Sequence, residues 1–380
     1  MTPSPAPAAA GRESARLGFL DALRGVAVLA VVGVHVAGLL FADYGRVVET
    51  RFALGHFGVT LFFLCSGFVI PVSLERQGSL RRFWTRRFFR LYPAYWYSLA
   101  LAMMLTAVGY AALPDAFRAA PGATFAANAT MLQGFVGMPN AVGTYWTLAF
   151  EMLFYGLVSL LFLLRLHRRV VPLTAALFLA PVCTKTVLPL LRGTSSGSDL
   201  HGLIFTLGSM FLGTVVYRCY RREGTFPAAL AVALCAPLAV FVMLSPHFLV
   251  RVPASAGGLP FAPWFNGWIA AYAVFVAAVA AHRLDFPRPI RGLGTISYSL
   301  YLLHPLVVGA VPRVGNWLAT GALWLALCLA LATLSYRWIE APAIRLGHRL
   351  TSAGRGARRA EPIVALAVAA PVASQAGERS

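Results

Sequence analysis

The stretch LDALRGVAVLAVVGVHVAGLLF, residues 20–41, decides the class of this protein. It is long enough to cross a bilayer, because a transmembrane helix needs about 20 mostly apolar residues. It nevertheless contains Asp21, Arg24 and His35, three ionisable side chains in a segment that otherwise favours lipid. Ionisable groups inside a span are costly and usually face a partner or a cavity. The stretch therefore predicts a membrane helix that carries a functional face.

The rest of the chain has the composition of a membrane protein. Of its 380 residues, 59% are hydrophobic and 12% are charged, whereas a soluble domain has about 25% charged residues. We predict an all-α, polytopic integral membrane protein of the cell membrane with about ten transmembrane helices. The predicted spans cover residues 17–41, 53–74, 89–110, 145–164, 170–190, 201–220, 226–245, 263–282, 293–312 and 317–338.

The basic residues are distributed unevenly between the predicted loops. Of the 32 lysine and arginine residues, seven lie in the predicted outer loops, Arg24 lies in the first span, and the other 24 lie on the inner side. Cytoplasmic loops carry this excess in membrane proteins, so we predict that both termini are cytoplasmic. The net charge of +19 then reflects topology and attraction to the anionic lipid bilayer. No nucleic-acid partner is expected.

The two ends of the chain differ from the apolar centre. Residues 1–16 and 346–380 are rich in Ala, Pro, Gly, Ser and Arg, a composition typical of disorder. We predict a disordered N-terminal tail over residues 1–16, a transmembrane domain over 17–345 and a disordered basic C-terminal tail over 346–380. The five cysteines show no CxxC pairing, so neither a disulfide framework nor a metal site is expected.

Arg24 and His35 are placed on one side of the first predicted helix. Eleven residues at 100° each bring the two side chains within about 20° of the same face, roughly 16 Å apart along the axis. Asp21 lies one turn before Arg24 and is positioned to pair with it. A structural alternative is an arginine that reaches the interface and a histidine that only hydrogen-bonds a neighbouring helix.

Two further spans carry isolated polar groups. The second span reads GHFGVTLFFLCSGFVIP, and its small residues favour close helix packing. The hydroxyl of Ser66 within it serves either that packing or a site. The fourth span opens with TYWTLAFEMLFYGL and places Glu151 about one turn inside the membrane. A carboxylate there needs a partner, and Arg24 and His35 are the obvious candidates.

The segment RRFWTRRFFRLYPAYW, residues 81–96, contains a basic stripe. Arg82, Arg86 and Arg90 recur every four residues and so share one helical face, with Arg87 beside them. Guanidinium groups bind phosphate oxygens bidentately, which suits a phosphate ligand on the inner side. The alternative is plain anchoring of the inner membrane face. Pro93 is expected to mark the entry to the third span.

The last third of the chain contains a second membrane histidine. In TISYSLYLLHPLVV, residues Ser297, Tyr301 and His304 are spaced four and three apart and line one face. In YRWIEAPAIR, Arg337 and Glu340 stand at i, i+3 near the inner end of the last span. We interpret that pair as structural.

Six segments together resemble the acyltransferase-3 family of integral membrane O-acyltransferases. In order they are LDALRGVAVLAVVGVH, GVTLFFLCSGFVI, RRFFRLYPAYW, YWTLAFEMLFYGL, ISYSLYLLHP and WIEAP, spread over residues 17 to 345. Each one alone is a weak signal, whereas six in this order are specific. Two positions depart from the family pattern. Thr147 stands where many relatives carry serine, and Met152 follows Glu151 where many carry a second glutamate.

The resemblance implies a function and a set of site residues. It implies acyl transfer to a hydroxyl, commonly of a carbohydrate, with acyl-CoA as the donor substrate and no permanently bound cofactor. The implied catalytic residues are His35, Arg24, Glu151 and His304. The implied donor-binding residues are Arg82, Arg86, Arg87, Arg90 and Ser66. Chemistry agrees with this assignment, because a histidine on a polar helix face can act as general base on a hydroxyl.

Two other classes of function fit the composition. A multi-pass transporter or flippase of a lipid-linked or small polar molecule also places Arg, His and Glu inside spans. A membrane scaffold or sensor without turnover is the third possibility, although it leaves the buried ionisable residues without a purpose. The expected acceptor of an acyltransferase is a carbohydrate or a glycosylated small molecule.

Overall fold

The computed structural model describes residues 8–41, 43–44, 50–109, 113–192, 199–222, 226–244 and 261–352. These residues form helices and contain no β-strand, which confirms the all-α prediction. The longer helices are α1 Ala8–Leu40, α2 Leu54–Gln77, α3 Leu80–Ala107, α4 Trp146–Leu163, α5 Val170–Arg192, α6 Asp199–Arg221, α7 Phe226–Leu244, α8 Phe261–Ala280, α9 Arg288–Ala310, α10 Trp317–Ser335 and α11 Ala341–Ser352.

A helix corresponds to each of the ten predicted spans. Within the described part of the chain, nine helical segments are long and apolar enough to cross a membrane. Helix α3, which carries the basic stripe, is not among those nine. The protein is therefore a multi-pass membrane protein, as predicted. The number of ten spans and the cytoplasmic side of the termini stay predictions.

The helical part of the chain extends beyond the predicted transmembrane domain at both ends. Helix α1 begins at Ala8 and α11 ends at Ser352, so each reaches into a segment assigned above to a disordered tail. Helix α11 packs on the first half of α3, where Phe89 lies against Gly347. This contact is long-range, and tail composition does not reveal it. Residues 1–7 and 353–380 of the predicted tails lie outside the described residues.

The centre of the bundle is formed by four helices, α1, α2, α6 and α9. Helix α1 packs along both α9 and α2, and α2 packs on α6. Their backbones touch at glycines. A Cβ added at Gly294 on α9 would lie 1.8 Å from the carbonyl oxygen of Asp21 on α1, and one at Gly67 on α2 would lie 1.6 Å from that of Met210 on α6. Only glycine permits these approaches, as is common between membrane helices.

Substitution of Gly67 by alanine is expected to lower the free energy of unfolding by about 2 kcal/mol, because the added methyl group forces α2 and α6 apart. The measurement is thermal unfolding of the purified protein in detergent. Gly156→Ala on α4 is the matched control, since a Cβ there meets no atom within 4 Å. Equal unfolding temperatures for the two variants would contradict the prediction.

Helix α3 carries the basic stripe on its first half and is fixed at several points. Its N-terminus is capped by Ser79, whose hydroxyl accepts from the backbone N–H of Arg82. The indole of Trp84 donates to the Ser159 hydroxyl on α4 at 3.1 Å. Pro93 lies within one continuous helix rather than at the start of a new one. The arginines of α3 therefore sit on a rigid element joined to α4.

A π-helical turn, Tyr336–Glu340, joins α10 to α11. Such turns insert one residue into a helix and often occur at functional sites. Here the turn brings Glu340 to the inside of the bundle, where it is 1% exposed. The neighbouring Trp338 is 72% exposed. The turn therefore places an acidic side chain inside and an aromatic one outside.

Candidate active site

A cavity lies where α1, α2, α3, α4 and α9 meet. Its volume, counted as the space open to the centre of a water molecule, is about 100 Å³. Ten of its lining side chains are polar or charged: Arg24, Ser66, Arg87, Arg90, Thr147, Glu151, Tyr155, Ser297, Tyr298 and Tyr301. The cavity thus gathers residues from five of the six sequence segments singled out above.

Glu151 is the carboxylate of this cavity. Its Oε1 accepts hydrogen bonds from the Tyr155 hydroxyl at 2.6 Å and from the Ser66 hydroxyl at 3.2 Å. The partner expected from sequence, either Arg24 or His35, is thus replaced by two hydroxyls. Tyr155 is buried and was not identified from the sequence, although it stands one turn after Glu151 on the same helix. Ser66 and Glu151 both line the cavity.

Three arginines line the cavity, each in a different setting. Arg24 lies 3.9 Å from the carboxylate of its helix neighbour Asp21. Arg90 forms an ion pair with Glu340. Arg87 has its guanidinium over the ring of Phe83 at 5.7 Å, and its buried Nε has no hydrogen-bond partner among the described residues. Arg87 therefore has an unused donor beside the cavity.

The predicted basic stripe divides between two surfaces of α3. Arg87 and Arg90 line the cavity, whereas Arg82 and Arg86 are not among the lining residues. The Nε of Arg86 donates instead to the Thr351 hydroxyl of α11 at 2.9 Å. The pairing of Arg337 with Glu340 inferred from their spacing is replaced by the ion pair between Arg90 and Glu340. Residues 250 positions apart in sequence thus form the contact.

The two membrane histidines contact each other. His304 Nε2 lies 3.3 Å from His35 Nδ1, and the ring centroids are 5.0 Å apart. His35 Nδ1 also lies 2.8 Å from the Val31 carbonyl oxygen, and His304 Nδ1 lies 3.1 Å from that of Leu300. Both histidines are predicted from the sequence as site candidates, but their contact is not.

The carbonyl partners decide where the ring protons are. Because a carbonyl oxygen only accepts, the Nδ1 of each ring must carry a proton. The single Nδ1–H of His35 is then shared between the Val31 carbonyl oxygen and the Nε2 of His304. This arrangement leaves His35 Nε2 as the free nitrogen of the pair. His35 is exposed at the surface of the bundle, whereas His304 is fully buried, so the free nitrogen belongs to the accessible residue.

Tyr301 lies between the cavity and the histidine pair. It lines the cavity, and its ring centroid is 6.0 Å from that of His304. Its hydroxyl bonds Thr147 at 2.7 Å and donates to the Thr144 carbonyl at 3.0 Å. Thr147 therefore supplies a hydroxyl that holds Tyr301 in place. The histidine pair does not line the cavity itself and lies on the far side of Tyr301.

The site contains no clustered metal ligands in the described residues. No three His, Cys, Asp or Glu side chains there are close enough to hold a metal ion. The cavity instead gathers three guanidinium groups around one hydrogen-bonded carboxylate. That donor set suits an anionic or carbonyl-containing ligand.

Comparison with known proteins identifies related chains. The model of a family described as an acyltransferase domain matches residues 17–339. The peptidoglycan O-acetyltransferase OatA of Listeria monocytogenes is 25% identical over 86% of this chain and 56% of its own length. The acyltransferase MdmB of Streptomyces mycarofaciens is 26% identical over 87% of this chain and 92% of its own.

The exopolysaccharide production protein ExoZ of Rhizobium meliloti is 28% identical over 82% of this chain and 96% of its own length. The chain thus spans the length of some relatives and just over half the length of others. No solved structure matches this chain.

Proposed function

Because the chain belongs to the acyltransferase-3 family and is an O-acyltransferase, we propose that it transfers an acetyl or other short acyl group from acyl-CoA to a hydroxyl. The acceptor is a carbohydrate or a glycosylated small molecule. The observation that carries this proposal is the contact between the exposed His35 and the buried His304. It provides one accessible imidazole nitrogen ready to accept a proton.

The reaction follows from the position of that nitrogen. His35 Nε2 accepts the proton of the acceptor hydroxyl, and the oxygen attacks the carbonyl carbon of the thioester. The C–O bond forms and the C–S bond breaks. Coenzyme A leaves as a thiolate, which takes the proton back from the imidazolium of His35. The Val31 carbonyl sets the tautomer of His35, and His304 holds the orientation of its ring through the contact at Nδ1.

The arginine-lined cavity supports the donor assignment. Its small volume suits a slender acyl-bearing arm rather than a nucleotide, so we place the arm of coenzyme A within it. The phosphates then lie at the end lined by Arg87 and Arg90, where guanidinium groups bind phosphate oxygens. The guanidinium of Arg87 also lies over the rings of Phe83 and Tyr155, which hold it beside the cavity. Arg24, on the helix of His35, guides the arm toward the histidine pair.

The relatives support a carbohydrate acceptor. Their names include a peptidoglycan O-acetyltransferase and an exopolysaccharide production protein. The identity between these chains and the present one is 25% and 28%, which supports the class of acceptor rather than a particular sugar. The exposed position of His35 agrees with an acceptor that approaches from outside the bundle.

The proposal is tested by mass spectrometry of glycans and small metabolites from cells with and without the protein. The cells are grown on unlabelled or carbon-13 acetate, so that an acetylated product shows a labelled and an unlabelled mass. A species whose acyl group depends on the protein supports the proposal and identifies the acceptor. Normal amounts of membrane-inserted protein without any acylated species would contradict it.

A further inference from the structure

Glu340 makes contacts that sequence analysis did not anticipate. It is 1% exposed, and both of its carboxylate oxygens are used. Oε1 pairs with Arg90, and Oε2 accepts from the Ser299 hydroxyl at 2.6 Å. Ser299 is itself buried and bonds the Ser335 hydroxyl at 3.2 Å. The carboxylate is thus fixed by side chains on two other helices, α3 and α9, rather than by its own.

Burying this ion pair contributes little stability by itself. Removing two charges from water costs several kcal/mol, and the attraction between them roughly offsets that cost. A well-packed apolar pair would serve the fold equally well. The pair is better explained by what it does to Arg90, whose side chain remains 28% exposed and lines the cavity.

Arg90 is held from two sides. Glu340 binds one edge of its guanidinium, and the ring of Tyr298 lies 6.0 Å from its central carbon. Tyr298 is fixed in turn because its hydroxyl donates to the Leu91 carbonyl at 3.0 Å. Arg87, three residues earlier, contacts aromatic rings instead of a carboxylate. Of the two cavity arginines of α3, Arg90 is thus held in one orientation by a carboxylate, whereas Arg87 is held by aromatic rings.

We propose that Glu340 is a positioning residue which, together with Ser299, fixes the Arg90 guanidinium at the cavity wall so that it offers the donor a fixed set of N–H groups. The π-helical turn is the device that brings Glu340 inward. The inference rests on the proposed function, because it assigns Arg90 to binding of the coenzyme A donor. It predicts that loss of the carboxylate weakens donor binding even though the local positive charge increases.

The test is a titration of the detergent-solubilised protein with coenzyme A, followed through the rise in unfolding temperature that binding produces. We expect Glu340→Gln to raise the apparent Kd for coenzyme A about tenfold, the loss typical of one charged hydrogen bond. Ser299→Ala is expected to shift the Kd in the same direction by a smaller factor, and it carries the test if Glu340→Gln does not yield folded protein.

Glu75→Gln is the matched control. Glu75 pairs with Arg218 between α2 and α6 in the same manner, and neither residue lines the cavity. This variant is expected to lower the starting unfolding temperature without changing the Kd. If Glu340→Gln and Ser299→Ala both behave as Glu75→Gln does, Glu340 is structural and the inference is wrong. If wild type itself gives no response to coenzyme A, the proposed donor is wrong.

Discussion

His35→Ala is expected to lower acyl transfer by about 10²–10⁴-fold, the usual contribution of a general base. The substitution removes the accessible imidazole nitrogen but leaves the arginine-lined cavity intact, so coenzyme A should bind with an unchanged Kd. The measurement is the rate of product formation in membranes, normalised to the amount of inserted protein. The Kd of the same variant is measured by the coenzyme A titration.

The control for this variant is His282→Ala. His282 also places its Nδ1 against a backbone carbonyl, that of Val279 at 2.9 Å, but it lies in the turn after α8 and does not line the cavity. This variant should keep wild-type activity. Full activity of a correctly inserted His35→Ala protein would remove His35 from the mechanism.

His304→Gln is expected to reduce the turnover number on the order of 10²-fold, because a flexible glutamine amide holds the His35 ring less firmly than the imidazole of His304 does. Glutamine keeps a polar group of similar length in a position that is fully buried. The KM for the donor should remain unchanged, since His304 does not line the cavity. The measurement is steady-state kinetics of the purified variant with the acceptor that mass spectrometry identifies.

The double variant His35→Ala/His304→Gln decides whether the two histidines act together. Residues that act as one unit show strongly non-additive losses, so the double variant should be no slower than His35→Ala alone. Multiplied losses would mean that His304 acts independently of His35, and the positioning role would be wrong.

The helical architecture can be predicted from the sequence alone, because the apolar length of a span is a local property of the chain. Residues 20–41 already show the apolar length of a span, and helices occur at each of the ten predicted positions. Five of the nine predicted site residues line the cavity, namely Arg24, Ser66, Arg87, Arg90 and Glu151. The other four, Arg82, Arg86, His35 and His304, do not. Each of the five is an ionisable or hydroxyl group within or beside an apolar span, which is a feature visible in the chain itself.

The pairings could not be predicted because they join distant residues. Sequence spacing suggests Arg337 as the partner of Glu340, but a π-helical turn changes the direction of that side chain. The sequence also does not determine which face of α3 turns toward the cavity. Arg86 and Arg87 point about 100° apart, and only packing against α4 and α11 decides that Arg87 faces the cavity.

The glycine contacts between the central helices bear on how material crosses this protein. A transporter that alternates access swings one group of helices against another around a fixed binding site. Here α1 and α9 meet backbone to backbone at Gly294, and the same two helices carry His35 and His304. Parting them would break the histidine hydrogen bond. Under the proposed function, α1 and α9 therefore stay together while the donor and the acceptor move to the site.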